Sequence, residues 1–218
     1  MRLVIFDVDG TLVDSQAQIL GAMRVAFSAL GREMPDRKTA LSIVGLSLAE
    51  AFERLMPDAS GLEISKAVEA YRNTFADARV RGAKPELYEG IADVVTNLAA
   101  EDDTLLAVAT GKSRRGLNAL IESHGWQGTF LSTQVADDHP SKPNPSMILR
   151  ALSETGVDPY RTVMIGDTTF DLEMAQAAGV KSIGVTWGYH DAQALGIATT
   201  CVDTPAALIP AINKVLES

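Results

Sequence analysis

The sequence of 218 residues predicts an α/β protein: a doubly wound parallel sheet with helices on both faces, into which an all-helical domain is inserted. Three observations predict it. An apolar run near the amino terminus has the length and β-branched content of a buried strand, and strand-like and helix-like segments alternate through the second half of the chain. Between these parts, residues 15–84 show helical periodicity and no convincing strand.

The first predicted strand is Arg2-Leu3-Val4-Ile5-Phe6, a nearly continuous apolar run of the kind found in parallel strands that are buried on both faces. Asp7-Val8-Asp9-Gly10-Thr11 follows it directly. Two carboxylates two residues apart at the end of a hydrophobic strand resist joint ionisation, so a cation or a proton must reconcile them. The end of this strand is therefore the first candidate for a functional site.

The predicted insert comprises residues 15–84, which leaves residues 1–14 and 85–218 as the core domain. Apolar residues recur at helical spacing in three of its segments: residues 19–30, 48–56 and 62–75. At the far edge, the glycine and proline of Gly82-Ala83-Lys84-Pro85 suit a hinge or linker. We therefore expect the insert to be a helical domain joined to the core by a hinge or linker.

Two helix starts in the insert fit the capping box, in which a hydroxyl and a carboxylate three residues later satisfy each other's backbone donors. They are Ser47 with Glu50 and Ser60 with Glu63. We expect helices to begin at both serines.

The second half of the chain contains the remaining predicted strands: residues 104–109, 162–165, 182–186 and 199–202. Two of the helical stretches between them are residues 113–124, which Gly125 closes, and residues 171–178, which Gly179 closes, because glycine commonly ends a helix. In sheets of this type, ligands bind at the carboxyl ends of the strands. We expect the functional residues there.

Composition excludes several classes of protein. Apolar residues make up 46% and charged residues 22%, as in ordinary globular proteins, and the net charge of −9 disfavours generic binding to nucleic acid or acidic membranes. No apolar run approaches the ~20 residues that span a bilayer, and the amino terminus turns acidic too early for a signal peptide. We expect a cytoplasmic protein, in which the single Cys201 is buried and structural.

Four short motifs, in matching order, resemble those of the haloacid dehalogenase-like (HAD) hydrolases, specifically their phosphatase branch. They are Asp7-Val8-Asp9-Gly10-Thr11, Thr110-Gly111-Lys112, Lys142-Pro143, and Gly166-Asp167 followed by Asp171. The resemblance implies the α/β core already predicted, a mobile helical cap at the position of the insert, and an Mg²⁺-dependent phosphatase.

The first motif supplies the reacting groups. A carboxylate is a competent nucleophile toward phosphorus and forms an acyl-phosphate that water can hydrolyse, and the resemblance assigns that role to Asp7. It implies that Asp9 is the general acid and base and that its backbone carbonyl also binds the metal. Gly10 permits backbone N–H groups to approach the phosphate closely.

The second and third motifs would hold the phosphate. A hydroxyl from Thr110 and an unhindered N–H at Gly111, at the carboxyl end of a strand and the start of a helix, make an anion cradle. Lys112 reads as a surface residue and is not assigned to the site. Lys142 stands between prolines that stiffen its loop, so a fixed ammonium could neutralise both the phosphoryl group and the nucleophile.

The last motif would complete a metal site. Asp167 ends a strand and can join Asp7 as an oxygen ligand, and Asp171 lies one helical turn further on. Carboxylates shared with a substrate phosphate suit Mg²⁺. The resemblance makes Asp167 a direct ligand and leaves Asp171 as a second ligand, as a ligand through water, or as a partner of Lys142; helix N-capping by Asp171 is a further alternative.

The sequence thus predicts an Mg²⁺-dependent phosphatase of a small phosphorylated metabolite, either a monomer or a homodimer. DVDGTLVDS, the position of the insert and Leu87-Tyr88-Glu89-Gly90 are similar to phosphoglycolate phosphatases, although Glu89 replaces an expected proline. The alternatives are a sugar-phosphate mutase, which the absence of a basic residue from Val44-Gly45-Leu46-Ser47 disfavours, a dehalogenase, and a phosphate receiver without turnover. A receiver has no need of Asp9 or of a large insert.

Overall fold

The computed structural model describes residues 1–80 and 85–217, apart from the side chain of Arg79. Its centre is one sheet of six parallel strands in the order β3-β2-β1-β4-β5-β6. The strands are β1 Arg2–Phe6, β2 Thr104–Thr110, β3 Ser132–Val135, β4 Thr162–Gly166, β5 Lys181–Val185 and β6 Thr200–Val202. The predicted fold class is confirmed.

Helices precede, separate and follow these strands. They are α1 Gln16–Ala29, α2 Arg37–Leu41, α3 Leu48–Leu55, α4 Gly61–Val80, α5 Ile91–Ala99, α6 Arg114–Ser123, α7 Ser146–Thr155, α8 Thr169–Ala177 and α9 Leu208–Glu217. Three 3₁₀ turns lie at Pro159–Arg161, Ala194–Ile197 and Pro205–Ala207. Within the described part of the chain, none of the helices has both the length and the apolar character that crossing a bilayer requires.

Strand β1 lies in the middle of the sheet, and its side chains alternate between two cores. Val4 and Phe6 pack with residues of α5, α6 and α9, while Leu3 and Ile5 pack with residues of α7 and α8. All four side chains are completely buried. A strand covered on both faces must be apolar at every position, which is why this run could be recognised in the sequence.

The edge strands are less well predicted than the central ones. Strand β3 has the polar sequence STQV and was not predicted, because it pairs only with β2 and carries no apolar run. Strand β6 lies at the other edge, where Cys201 is exposed. The prediction that Cys201 is buried is therefore wrong: the strand exists, but a three-residue edge strand does not bury this side chain.

Helices α1 to α4 form the region between β1 and α5, and they supply most of two further hydrophobic clusters, one of which also includes Phe170 of α8. Ile19 and Met23 on α1 belong to one cluster, and Phe27 on α1 and Phe52 on α3 belong to the other. These residues lie on one face of α1, so the first half of that face contributes to one cluster and the second half to the other. Of the predicted hinge, residues 82–84 lie outside the described residues.

The two capping boxes have different outcomes. At the start of α4, Ser60 N–H donates to Glu63 at 2.8 Å and Glu63 N–H donates back to Ser60 Oγ at 3.4 Å, so this capping box is confirmed. Helix α3 begins directly after Ser47 as expected, but the predicted capping box is wrong, because the Ser47 side chain makes no capping bond. Glu50 instead pairs with Arg54 one turn later, at 2.7 Å.

Candidate active site

Neighbouring strands bring the acidic motifs together. Asp7 follows β1 and Asp167 follows β4, and the two strands are parallel neighbours in which Phe6 stands beside Ile165. Asp171 lies in the first turn of α8, which begins just after β4. Lys142 reaches the same place from the loop between β3 and α7. Residues far apart in sequence thus meet at the carboxyl edge of the sheet.

These four side chains form a buried cluster of charges. Lys142 Nζ donates to Asp7 Oδ1 at 2.7 Å and to Asp171 Oδ1 at 2.6 Å. Carboxylate oxygens of Asp7, Asp167 and Asp171 all lie within 4.8 Å of one another, and none of the four side chains is more than 1% exposed. Three carboxylates and a single ammonium therefore share one buried site.

The electrostatics reflect this excess of negative charge. Burial raises the pKa of the Asp7 carboxyl to about 7, although the Lys142 ammonium beside it acts in the opposite direction. Burial, together with the charges of Asp7 and Asp171, raises the pKa of Asp167 well above its usual range. Burial by itself would lower the pKa of Lys142, but the charges of Asp171 and Asp7 outweigh it, and the pKa is raised. The cluster would be stabilised by one more cation.

A divalent cation fits the donor set. Asp7 Oδ2 is buried and has no hydrogen-bond partner among the described residues, which is rare for a carboxylate oxygen. The neighbouring donors are carboxylate oxygens, the ligand type that Mg²⁺ prefers. The residues present therefore fit the predicted metal, with Asp7 and Asp167 as the principal side chains.

Asp171 has its own hydrogen bonds. Its Oδ1 accepts from Lys142, and its Oδ2 accepts from Thr168 N–H at 3.1 Å and Thr168 Oγ1 at 2.7 Å. Asp171 thus completes the capping box of α8 and holds the ammonium at the same time. Among the roles left open by the sequence, the geometry shows both the partner of Lys142 and the helix cap.

Gly10 makes room for Asp167. Its φ is +92°, and a Cβ atom there would lie 2.2 Å from Asp167 Oδ2. Asp167 is held in that space by Thr11 Oγ1, which donates to Oδ1 at 2.8 Å, and by Tyr189 N–H, which donates to Oδ2 at 2.9 Å. Only glycine fits at position 10, for reasons of both conformation and space.

The Asp9 carboxylate is not part of the buried cluster. Lys112 Nζ donates to both of its oxygens at 2.7 Å, and the two side chains are 14% and 12% exposed. The same ammonium lies 5.7 Å from the centre of the Phe75 ring, on α4. The two carboxylates of the first motif thus have separate ammonium partners.

Sequence reasoning missed Lys112. The signal that could have found it is its position directly after Thr110-Gly111 at the end of β2, the other parallel neighbour of β1. A side chain leaving that end of β2 can reach one leaving the end of β1. The sequence, however, does not show that Lys112 turns toward Asp9 rather than toward solvent.

Thr110 and Gly111 lie beside this pair. Thr110 is the last residue of β2, is fully buried, and its Oγ1 accepts from Lys112 N–H at 3.2 Å. Gly111 packs against the loop before α3, where a Cβ atom would lie 2.6 Å from Gly45 O. Both residues line the same cavity as Asp7 and Asp9.

That cavity has a volume of about 330 Å³ and lies between the sheet edge and helices α1, α3 and α4. Contacts across it hold the two sides together: Ser47 N–H donates to Ser141 Oγ at 2.8 Å, and Arg72 pairs with Asp137 at 3.3 Å. We call the surface formed by Asp7, Asp9, Thr110, Gly111 and Lys112 the core side, and the surface formed by residues 15–80 the cap side. Of the predicted site residues, Asp7, Asp9, Thr110 and Gly111 line this cavity, whereas Gly10, Lys142, Asp167 and Asp171 are not among its lining residues.

Comparisons with known proteins agree with this geometry. Residues 4–185 match the family model described as "Haloacid dehalogenase-like hydrolase". The chain is 36% identical to "Probable phosphatase IndB" of Dickeya dadantii, covering 99% of this chain and 95% of that protein. It is 32% identical to "Tyrosine-protein kinase PtkA" of Mycobacterium tuberculosis (99% and 72%) and 30% identical to "Phosphoglycolate phosphatase" of Agrobacterium fabrum (99% and 94%).

A solved structure shows the same fold over the whole chain. The haloacid dehalogenase-like hydrolase SP0104 of Streptococcus pneumoniae superposes with a TM-score of 0.82 at 26% identity, covering 97% of this chain and 98% of the other. Both the α/β sheet and the inserted helices therefore have a counterpart in a known protein.

Proposed function

Because the chain belongs to the haloacid dehalogenase-like hydrolase family, we propose that it is an Mg²⁺-dependent phosphatase that hydrolyses small phosphomonoesters through an aspartyl-phosphate on Asp7. The observation that carries this proposal is the unpartnered Oδ2 of Asp7, buried beside one ammonium and two further carboxylates and lining the cavity. A buried carboxylate oxygen with no partner in the described part of the chain is available to a metal or to phosphorus.

In the proposed first step, an Asp7 carboxylate oxygen attacks phosphorus and the bond from phosphorus to the ester oxygen breaks. Lys142 holds Oδ1 and so fixes the direction of the carboxylate. The leaving oxygen takes a proton from the Asp9 carboxyl group. The products of this step are an alcohol and phosphorylated Asp7.

In the proposed second step, water attacks the phosphorus of phosphorylated Asp7, its proton passes to Asp9, and the bond to the Asp7 oxygen breaks. Thr110 Oγ1 and Gly111 N–H, whose residues line the cavity, would bind the phosphate oxygens, and the Lys142 ammonium beside Asp7 would offset their charge. Lys112, which donates to both Asp9 oxygens in this structure, would orient Asp9 for these proton transfers.

The metal site we propose consists of the Asp7 and Asp167 carboxylates and the Asp9 backbone carbonyl, with Asp171 supporting it through Lys142. When bound, Mg²⁺ would shield the repulsion between the phosphate and the acidic residues. We propose residues 15–84 as the cap domain over this site. A small cytoplasmic phosphorylated metabolite is the proposed substrate.

Two alternatives have less support. A mutase would need the cap side to hold a second phosphate, but the cap-side loop at Val44, Gly45 and Leu46 brings no basic side chain to the cavity. The chain matches 72% of the relative named as a kinase, so part of that protein has no counterpart here, and we carry none of its named activity over. A phosphate receiver is separated from a phosphatase by the experiment below.

The test is phosphate release from p-nitrophenyl phosphate, with Mg²⁺ or with EDTA. We expect multiple turnovers only with Mg²⁺, and none in Asp7→Asn. Asp9→Asn should lose turnover but keep the rise in thermal midpoint that Mg²⁺ produces, whereas Asp167→Asn should lose that rise. Stoichiometric labelling without release would instead indicate a receiver, and full activity of Asp9→Asn would remove its proposed role.

A further inference from the structure

From the cavity we infer that the preferred substrate is a phosphomonoester whose leaving group is apolar and uncharged, such as an alkyl or aryl alcohol. The inference rests on the proposed function, because it takes the core side as the site of phosphoryl transfer. The inference concerns the leaving group, which is the part of the substrate that the cap side would contact. The inferred substrate thus differs from that of the phosphoglycolate phosphatases among the relatives, which carries a carboxylate.

The cap side is predominantly apolar. Side chains from α1, α3, α4 and the loop before α3 face the cavity, among them Ile19, Met23, Val44, Leu46, Leu55 and Phe75. These side chains come from three helices and one loop, so they surround the space on several sides. A ligand group bound there exchanges water for hydrocarbon, which favours apolar atoms.

The basic residues that line the cavity in the described ranges 1–80 and 85–217 are Lys112, Arg72 and Arg115. The Lys112 ammonium is held by both oxygens of Asp9. Arg72 pairs with Asp137 and is 55% exposed, and Arg115 is also an exposed residue. The cations are thus either neutralised or open to solvent, and none lies within the apolar surface.

A carboxylate on the leaving group would be poorly accommodated. It would lose its hydration against the cap side, where the lining residues of the described ranges bring no buried cation to it, because Arg115 is open to solvent and Lys112 is paired with Asp9. Burial of an unpaired charge is costly. The neutral Tyr71 hydroxyl is the type of polar group that the cavity does offer: it lines the cavity, and burial raises its pKa further above the usual value. A hydroxyl on the ligand could therefore be tolerated where a charge could not.

The cavity also limits the size of the leaving group. Its volume of about 330 Å³ must hold the phosphate as well, and it lies at the lower end of the range for small-molecule sites. Phosphorylated proteins and long chains are excluded from a chamber of this size. Leaving groups of a few to several carbon atoms remain.

The test compares ethyl, butyl and hexyl phosphate with 2-phosphoglycolate in the presence of Mg²⁺. The alkyl alcohols have similar acidity, so the chemical step is nearly constant and differences report the binding of the chain. We expect kcat/KM to rise about twofold to fourfold per added methylene until the cavity is filled. We expect 2-phosphoglycolate to be at least about tenfold poorer than ethyl phosphate, since its carboxylate remains uncompensated.

A charge placed in the cap side sharpens the test. Leu55→Lys puts an ammonium at a cavity-lining position of α3 and should flatten the dependence on chain length while improving 2-phosphoglycolate relative to ethyl phosphate. Ala49→Lys is the matched control, because Ala49 lies on the same helix, is exposed and does not line the cavity. It should keep the wild-type order of substrates.

The outcomes distinguish a failure of the inferred substrate preference from a failure of the proposed phosphatase activity. Hydrolysis of all four esters with no increase along the alkyl series, or with 2-phosphoglycolate as the best substrate, overturns the inference and leaves the phosphatase intact. Absence of Mg²⁺-dependent hydrolysis with every ester, including p-nitrophenyl phosphate, overturns the proposed function and the inference with it.

Discussion

The two sides of the cavity are built on opposite principles. The core side concentrates charge, with Asp7 and Asp9 each held by an ammonium, whereas the cap side is predominantly hydrocarbon. Phosphoryl transfer depends on fixed charges and leaves the rest of the substrate unspecified. Under the proposed function, the chemistry and the choice of leaving group would therefore be carried by different parts of the chain.

The core side contains a second contrast, between its two ammonium groups. Lys142 is completely buried between two carboxylates, and Lys112 is partly exposed beside one. Removing a partner from a buried ion pair leaves an uncompensated charge, whereas exposed pairs contribute little to stability. We therefore expect the removal of Lys142 to lower both stability and turnover, and the removal of Lys112 to lower mainly turnover.

Lys142→Met should have the largest effect. It leaves the carboxylates of Asp7 and Asp171 buried without their ammonium, so we expect a loss of about 3–5 kcal/mol in the free energy of unfolding without metal. Turnover should fall at least about 10³-fold. Urea denaturation in EDTA and in Mg²⁺ measures the first effect, and Mg²⁺ should recover part of it. A variant as stable as wild type in EDTA would contradict this account.

Lys112→Met should act mainly on catalysis. Asp9 stays accessible to the cavity, so the free energy of unfolding should change by about 1 kcal/mol or less. Without Lys112 the acid is no longer fixed, and kcat for alkyl phosphates should fall about 10-fold to 100-fold.

p-Nitrophenyl phosphate provides the control for Lys112→Met, because its leaving group needs less protonation. Its kcat should fall less than that of ethyl phosphate. An equal loss with both esters would show that Lys112 does not act through Asp9.

Gly111→Ala tests the close approach of the two sides. The new Cβ would lie 2.6 Å from Gly45 O and 2.8 Å from Leu46 O, so the loop before α3 must move away while the N–H at position 111 is kept. We expect kcat/KM to fall about tenfold or more. Gly21→Ala, in helix α1 with open space at the Cβ position, is the control and should keep activity while gaining about 0.5–1 kcal/mol of stability. Wild-type kinetics in Gly111→Ala would show that this contact is not needed for turnover.

The smallest effect concerns two serines at helix starts on the cap side. Ser60→Ala removes the hydroxyl that caps α4 and should cost about 1 kcal/mol of stability. Ser47→Ala should be close to neutral, because the Ser47 hydroxyl makes no capping bond and its backbone N–H, which donates to Ser141, is retained. Thermal or urea unfolding of the two variants measures both effects. Equal losses of stability in Ser60→Ala and Ser47→Ala would contradict the assignment of the caps.

Much of the catalytic edge could be predicted from the sequence. The inner residues of strands β1, β2 and β4 are apolar because both faces of these strands are covered, and the acidic or hydroxyl residue at the end of each apolar run stands out against it. Parallel neighbours place those ends together, which made the meeting of Asp7 with Asp167 predictable. The capping box at Ser60 was predictable for a similar reason, since its partners are three residues apart.

Other features depend on contacts between distant residues. The polar strand β3 has no periodicity to identify it, and Ser47 follows the right pattern but does not form its cap. Asp9 is two residues from Asp7 in the sequence, yet in the structure the Asp9 carboxylate accepts from Lys112, which is 103 positions away. A local pattern shows what a residue can do, and the tertiary structure determines which partner it meets.

The sequence by itself determined the parallel sheet, the helical insert and the order of the acidic and basic motifs. Burial gives each strand an apolar run and each helix an apolar spacing, and the charged motifs stand at the ends of these patterns. Only the tertiary structure decided that one ammonium serves Asp7 and another serves Asp9, and that four separate segments close an apolar surface over them. Those outcomes follow from how packed elements orient their side chains, and one-dimensional spacing does not encode that orientation.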